Sequence, residues 1–181
     1  MKAVREVGFG RLVRFVWVST LLSVLRHVPL PPLRALFLRV CGSGVGGDTV
    51  VHRATYIIVD RGGFGALRIG ARCFVGDEVL LDLAAPLVLE DDVTVAARAI
   101  LMTHVNVGYK DHPLQARFPS KTARVTVRRG SFIGAGAIVL AGCSIGPNAF
   151  VAAGSLVNRD VGEGEVVGGV PIRTLGAGSG T

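Results

Sequence analysis

A chain of 181 residues has room for one domain and a modest extension. Half of the residues are hydrophobic and 18% are charged, enough apolar material for a continuous core, so a disordered chain is excluded. The net charge of +7 is unevenly placed: residues 1–41 carry seven basic side chains against Glu6 alone, net +6, whereas a nucleic-acid binder would spread a basic stripe over its folded surface.

The first predicted element is helical. Phe15 to Leu25 is an uncharged run holding Phe15, Val16, Trp17, Val18, Leu21, Leu22, Val24 and Leu25, flanked by Arg11, Arg14 and Arg26. A spanning helix needs roughly 20 apolar residues, so this run is too short to cross a bilayer. It also lacks a small-x-small cleavage site, which argues against a secretory signal. Two readings stand equal: a helix at the membrane interface with Trp17 at headgroup depth, or a helix packed on the rest of the protein or a neighbouring subunit. Pro29, Pro31 and Pro32 end that helix, and Leu33 to Val40 reads as a short second one.

From Val45 onward the pattern changes. Val45, Val51 and Ile57 read as an irregular opening turn of a repeat, interrupted by Asp60-Arg61-Gly62-Gly63. Then aliphatic residues fall on a six-residue lattice: Ile69, Val75 and Leu81; Leu89, Val95 and Leu101, displaced by two; and Val127, Ile133, Val139, Ile145, Val151 and Val157. Four residues after most of them stands a small one, such as Cys73, Ala99, Ser131, Ala137, Cys143, Ala149 or Ser155, and Gly70, Gly76, Gly134 and Gly146 follow directly. A helix needs apolar steps of three and four, which this lattice does not supply. Short strands, each pointing one large side chain inward and followed by a tight corner, do fit. Three such sides close a coil of about 18 residues, and coils must stack to bury their apolar faces.

The lattice, together with Ser131-Phe132-Ile133-Gly134-Ala135-Gly136-Ala137, Val151-Ala152-Ala153-Gly154-Ser155-Leu156-Val157 and Gly168-Gly169-Val170-Pro171-Ile172-Arg173, resembles the hexapeptide-repeat acyltransferases. The subgroup it is most similar to is the maltose, galactoside and capsule-sugar O-acetyltransferases. The resemblance implies a mainly β fold, a left-handed parallel β-helix. That hand is not read from periodicity, since the usual crossover rule favours the other. The expected organisation is a basic, apolar helical segment over 1–43, a β-helix domain over 44–175 with an insertion at 105–124, and a flexible tail at 176–181.

The resemblance also implies a site. His104 closes a coil at the place where the family carries its catalytic His, and an imidazole with pKa of about 6.5 can take a proton from a hydroxyl at neutral pH. Asp82 and His112 are assigned to the acceptor: Asp82 follows a lattice residue where relatives place an acidic group, and His112 lies in the insertion as Lys110-Asp111-His112-Pro113. For the co-substrate acetyl-CoA, the resemblance carries over onto Ala135, Ala153, Asn158, Arg159 and Arg173. The alanines are expected to offer backbone groups to the pantetheine arm, and the arginines to meet the phosphates. His27 and His52 read as structural, and Glu90-Asp91-Asp92 as an exposed corner.

The expected activity is transfer of an acetyl group to a sugar hydroxyl, in polysaccharide or glycolipid synthesis, by a homotrimer with sites between subunits. Alternatives on the same fold are a zinc-dependent carbonic anhydrase of the γ type and a catalytically silent scaffold. The former needs three His ligands, whereas His104 and His112 stand eight apart with no third nearby, so no metal is expected. Cys73 and Cys143 fall in the small-residue column, Cys41 stands alone, and no CxxC occurs, which favours a reducing cytoplasm, with peripheral membrane contact through residues 1–41 where the first helix is interfacial.

Overall fold

The computed structural model describes residues 9–177; Lys2, Arg5 and Glu6 of the basic segment lie outside the described residues, as do 178–181. Three parallel sheets form the sides of a prism. Sheet A stacks β1 (Gly44–Val45), β4 (Leu67–Ile69), β7 (Leu87–Leu89), β12 (Val125–Val127) and β15 (Ser144–Ile145). Sheet B stacks β2 (Val50–Val51), β5 (Phe74–Val75), β8 (Thr94–Val95), β13 (Phe132–Ile133), β16 (Phe150–Val151) and β18 (Glu165–Gly168), with β19 (Arg173–Ala177) antiparallel at its end. Sheet C stacks β3 (Thr55–Ile57), β6 (Leu80–Asp82), β9 (Ile100–Leu101), β14 (Ile138–Val139) and β17 (Leu156–Val157). The chain visits A, B and C in turn, one coil per circuit, and the architecture is a left-handed parallel β-helix.

The lattice is the core. All twelve of its residues are at most 3% exposed, and the small residues four positions on, from Cys73 to Ser155, fill the corners behind them. Each fully buried aliphatic side chain contributes on the order of 1.5–3 kcal/mol. Ala85 is the exception, half-buried rather than buried, because the chain there has left the repeat. Glycine after the aliphatic residue answers to the spacing of coils: a Cβ on Gly76 would sit 2.8 Å from the Ala97 nitrogen, and one on Gly146 2.5 Å from the Gly162 carbonyl carbon.

Both ends of the prism are closed. At the start, α1 (Phe9–His27) and α2 (Pro31–Val40) pack on the first coil, with Leu38 fully buried and Leu25 at 4%, in the same core as the lattice residues. Pro31 and Pro32 open α2, where no N–H is missed. The helical segment and the β-helix therefore share one core, so residue 43 marks a change of secondary structure within it. At the far end, β19 folds back along β18, pairing Val166 with Gly176 and Glu165 with Ala177. That corrects the expected tail at its first two residues, since Gly176 and Ala177 are strand. The packing reading of α1 fits its inner face, Val18, Leu21, Leu22 and Leu25, while Val13, Phe15, Val16, Trp17 and Val24 remain more than half exposed. No helix of the described residues is long and apolar enough to cross a membrane.

Departures from the repeat collect at one edge, the corner leading from sheet C back to sheet A. After β3 it holds the short helix α3 (Val59–Gly62) and a 3₁₀ turn, Phe64–Ala66. After β6 the step from the lattice residue Leu81 to the next, Leu89, is two residues longer than the step from Val139 to Ile145, which explains the displaced second run. After β9 it holds the insertion. That insertion has order of its own. Its stem is an antiparallel pair, β10 (His104–Val105) with β11 (Lys121–Thr122), His104 opposite Thr122. Inside it, the Asn106 side-chain oxygen accepts from Gly108 N–H at 3.0 Å and Ser120 Oγ at 2.9 Å.

Candidate active site

The C-to-A edge brings Asp82 and His104 together from neighbouring coils. Leu81 pairs with Leu101 in register, so the residues that follow each strand turn the same corner one above the other. His104 Nδ1 lies 2.5 Å from Asp82 Oδ2, with the His side chain 16% exposed and the Asp side chain fully buried. The carboxylate is held on all sides: Oδ2 also accepts from Thr103 N–H at 2.7 Å, and Oδ1 from Ala84 N–H at 3.1 Å. Thr103, itself fully buried, donates its hydroxyl to the Asp82 carbonyl at 3.0 Å and accepts from Ala85 N–H at 3.1 Å. The two extra corner residues matter here, since Ala84 and Ala85 supply those N–H groups.

A buried carboxylate acceptor beside Nδ1 fixes the tautomer of a neutral imidazole: Nδ1 carries the hydrogen and Nε2 carries the lone pair. The pair can therefore accept a proton at Nε2 and stabilise the cation that results, the division of labour of a His–Asp couple. This corrects the expected place of Asp82. Its carboxylate has no exposed surface to offer an acceptor; it stands behind the imidazole and orients it. Thr103 escaped the sequence reading altogether. Its only signal was a hydroxyl residue between the lattice residue Leu101 and His104, which resembles an ordinary corner.

His112 is not drawn into this pair. Its Nδ1 accepts from Leu114 N–H at 3.1 Å, and its backbone N–H donates to the Tyr109 carbonyl at 2.9 Å, so these bonds lie within the insertion. The insertion exposes Tyr109, Leu114 and Phe118, and the Arg117 guanidinium lies 5.2 Å from the Phe118 ring centre.

The expected cofactor residues fall in two groups. Ala135 and Ala153 are exposed at the corner between sheets B and C on adjacent coils, with Gly154 N–H donating to the Ala135 carbonyl at 2.8 Å. Their own N–H groups donate to no backbone carbonyl among the described residues. Asn158 and Arg159 follow β17, and Arg173 opens β19, all three exposed. Arg159 differs from expectation. Its Nη2 lies 2.9 Å from Glu165 Oε1 and 3.2 Å from Thr174 Oγ1, and its Nη1 donates to the Asp160 carbonyl at 2.8 Å. The Arg159 guanidinium, the Thr174 hydroxyl and Gly162 N–H together hold the Glu165 carboxyl down at about 2. Arg159 thus pins the terminal hairpin to the last coil, and an incoming phosphate would have to compete with Glu165. Among the described residues, no three His, Cys, Asp or Glu side chains are grouped to hold a metal ion.

Coils of short strands at a six-residue period, closed by small-residue corners, define the class. Residues 124–159 match the family described as bacterial transferase hexapeptide (six repeats). The chain is 32% identical over 102 residues to a serine acetyltransferase of Buchnera aphidicola, covering 56% of this chain and 35% of that protein. It is 29% identical over 106 residues to a galactoside O-acetyltransferase of Lactococcus lactis, covering 56% of this chain and 51% of that one. The chain thus spans between a third and a half of the length of these curated relatives. In fold it is similar to a hexapeptide-repeat-containing acetyltransferase of Vibrio cholerae, with a TM-score of 0.78 at 20% identity over 96% of this chain and 98% of that one. Residues 124–159 thus carry the hexapeptide-repeat signature, and the fold is one shared with hexapeptide-repeat-containing acetyltransferases.

Proposed function

We propose that this protein is an acetyl-CoA-dependent O-acetyltransferase acting on a sugar hydroxyl. The observation that carries the reading is the His104–Asp82 couple at the mouth of the insertion. Nε2 of His104 takes the proton of the acceptor hydroxyl as its oxygen attacks the thioester carbonyl. The carbonyl collapses, the C–S bond breaks, and the proton passes from His104 to the departing thiolate, leaving ester and free CoA. Asp82 holds the ring and offsets the imidazolium charge formed midway. A silent scaffold has no use for a buried carboxylate spent on aiming one imidazole.

Support for the co-substrate comes from the relatives, two of them named acetyltransferases, and from the Vibrio cholerae protein, which has been crystallised with acetyl coenzyme A. The exposed corner at Ala135 and Ala153, with small side chains and unspent N–H groups, suits an extended pantetheine arm, and Arg173 suits its phosphates. The acceptor reading leans on the galactoside enzyme; His112, on the insertion, remains the candidate to contact that acceptor.

A homotrimer fits the outer faces of the prism. On sheet B, Val50, Phe74, Thr94, Phe132, Phe150 and Val166 stand in one register column, with Phe132 stacked on Phe150 at 4.8 Å. On sheet C the column is Thr55, Leu80, Ile100, Ile138 and Leu156, whereas sheet A shows Gly44, Arg68, Val88, Thr126 and Ser144. Two apolar sides and one mixed side suit cyclic packing of three copies. The exposed Phe15, Trp17, Leu33 and Leu36 of α1 and α2 support peripheral contact with a lipid surface, which would bring a cytoplasmic enzyme to glycolipid acceptors.

The test is a screen of free sugars, nucleotide sugars and lipid-linked sugars with acetyl-CoA, following release of the free thiol. Acceptor-dependent release that disappears in His104→Ala is expected. Thiol release unaffected by that change would overturn the reading.

A further inference from the structure

Among the described residues, one buried side-chain nitrogen has no hydrogen-bond partner, and it belongs to an arginine. Arg34, in the first turn of α2, is 6% exposed, and its Nε has no hydrogen-bond partner. Among the described residues it makes no ion pair. A guanidinium is always charged, and burying an unpaired charge is costly unless something anionic meets it. Its surroundings add to that charge. Arg34 lines a cleft of about 440 Å³ where the α1–α2 connection faces the first coil, together with Arg26, His27, His52, Arg53 and Asp77.

Asp77 is the one acid in that lining, and it is taken. Its carboxylate lies 3.5 Å from His52 Nδ1 and 3.7 Å from Arg53 Nε, and accepts Arg53 N–H at 3.3 Å. His27 Nδ1 is bonded to the Ser23 carbonyl at 2.7 Å. Three arginines therefore line the cleft against one carboxylate, which Arg53 and His52 already engage. The N-terminus of α2 adds positive potential, for it has no acidic residue in its first turn and no side-chain cap. A second cleft shares His27, Val28 and Pro29 and adds Val24, so apolar surface adjoins the basic one.

We infer that this cleft is a site for a phosphate group, as found on a soluble phosphate ester or on a lipid headgroup. Tetrahedral oxygens offer several acceptors at once to converging guanidinium forks, and Arg34 supplies a donor that no protein group uses. The inference is independent of acyl transfer and of the lipid contact proposed for α1.

The experiment uses the full chain. Thermal unfolding is followed in sodium phosphate against sodium chloride of equal ionic strength. Co-sedimentation is followed with phosphatidylcholine vesicles carrying either phosphatidic acid or oleate at equal charge. Arg34→Met, which keeps bulk and loses charge, is run beside Arg53→Gln, whose side chain is 69% exposed and tolerant. A soluble source is read as a rise in Tm of about 5–10 °C at phosphate a hundredfold above its Kd, lost in Arg34→Met and reached in Arg53→Gln only at about tenfold more phosphate. A lipid source is read as selective sedimentation with phosphatidic acid over oleate, lost in the same order. Without phosphate, Arg34→Met should unfold at or above the wild-type temperature, because an orphaned charge is gone. Absence of both responses, equal responses in all three proteins, or a wild-type preference for oleate overturns the site.

Discussion

The two halves of the β-helix keep different bargains with the repeat. From Val127 to Val157 the coils hold an 18-residue step, Ile133 pairing with Val151 and Val139 with Val157. From Ile69 to Leu101 the step is longer by two, and the next is longer by the whole insertion. The regular half is core, corner and coil contact. The irregular half holds Asp82, Thr103 and His104. A strict repeat spends its backbone groups on the next coil, so polar chemistry needs a place where the chain leaves the lattice. Extra residues at one corner create that place and supply N–H groups to a buried carboxylate, while the lattice on either side keeps it rigid.

The sharpest way to break the comparison is in the irregular half. His104→Ala should lower kcat by about 10²–10⁴-fold with Tm unchanged, as loss of a general base does. Asp82→Asn keeps the shape and removes the charge behind the ring; it should lower kcat with little change in the KM for acetyl-CoA. If Asp82→Asn instead raises the acceptor KM alone, the carboxylate contacts acceptor after all.

The converse cut lies in the regular half. Ile133→Ala should cost about 2–5 kcal/mol in denaturant unfolding while the remaining folded protein keeps its turnover. Gly146→Ala places a methyl against the backbone of the next coil and should cost about 1–3 kcal/mol. A neutral result at Gly146 would mean that the coils can part locally.

The smallest effect belongs to the end of the prism. Glu165 has its carboxyl depressed from its ordinary range to about 2. A depressed folded value stabilises above the unfolded value, and that stabilisation fades as pH falls from about 4.5 towards 2. Glu165→Gln should therefore lower Tm by no more than a few degrees at neutral pH, since the pair is solvent-screened, and converge with the wild type near pH 2. It also frees Arg159: an accompanying fall in the KM for acetyl-CoA would show that Arg159 can serve the phosphates once released.

By itself, the sequence determined the repeat, the prism and the place of His104 at the end of a coil; it put the second helix at Leu33 to Val40, and the structure starts it two residues earlier, at Pro31. Each depends on spacing along the chain: a six-residue period sets which side chains point inward, and Pro31 and Pro32 set φ where a helix begins. Tertiary structure decided the rest. Asp82 and Thr103 became a support for His104 because a coil laid one corner upon the next, twenty-one and twenty-two residues apart. Arg159 became a clasp because β19 turned back and brought Thr174 to the shared carboxylate of Glu165. Arg34, one basic residue among many in the first 41, became a buried charge whose Nε has no hydrogen-bond partner among the described residues, because α2 closes the end of the prism. Burial and partnership belong to what neighbouring coils and helices remove from water, and periodicity along one strand of text carries no record of that.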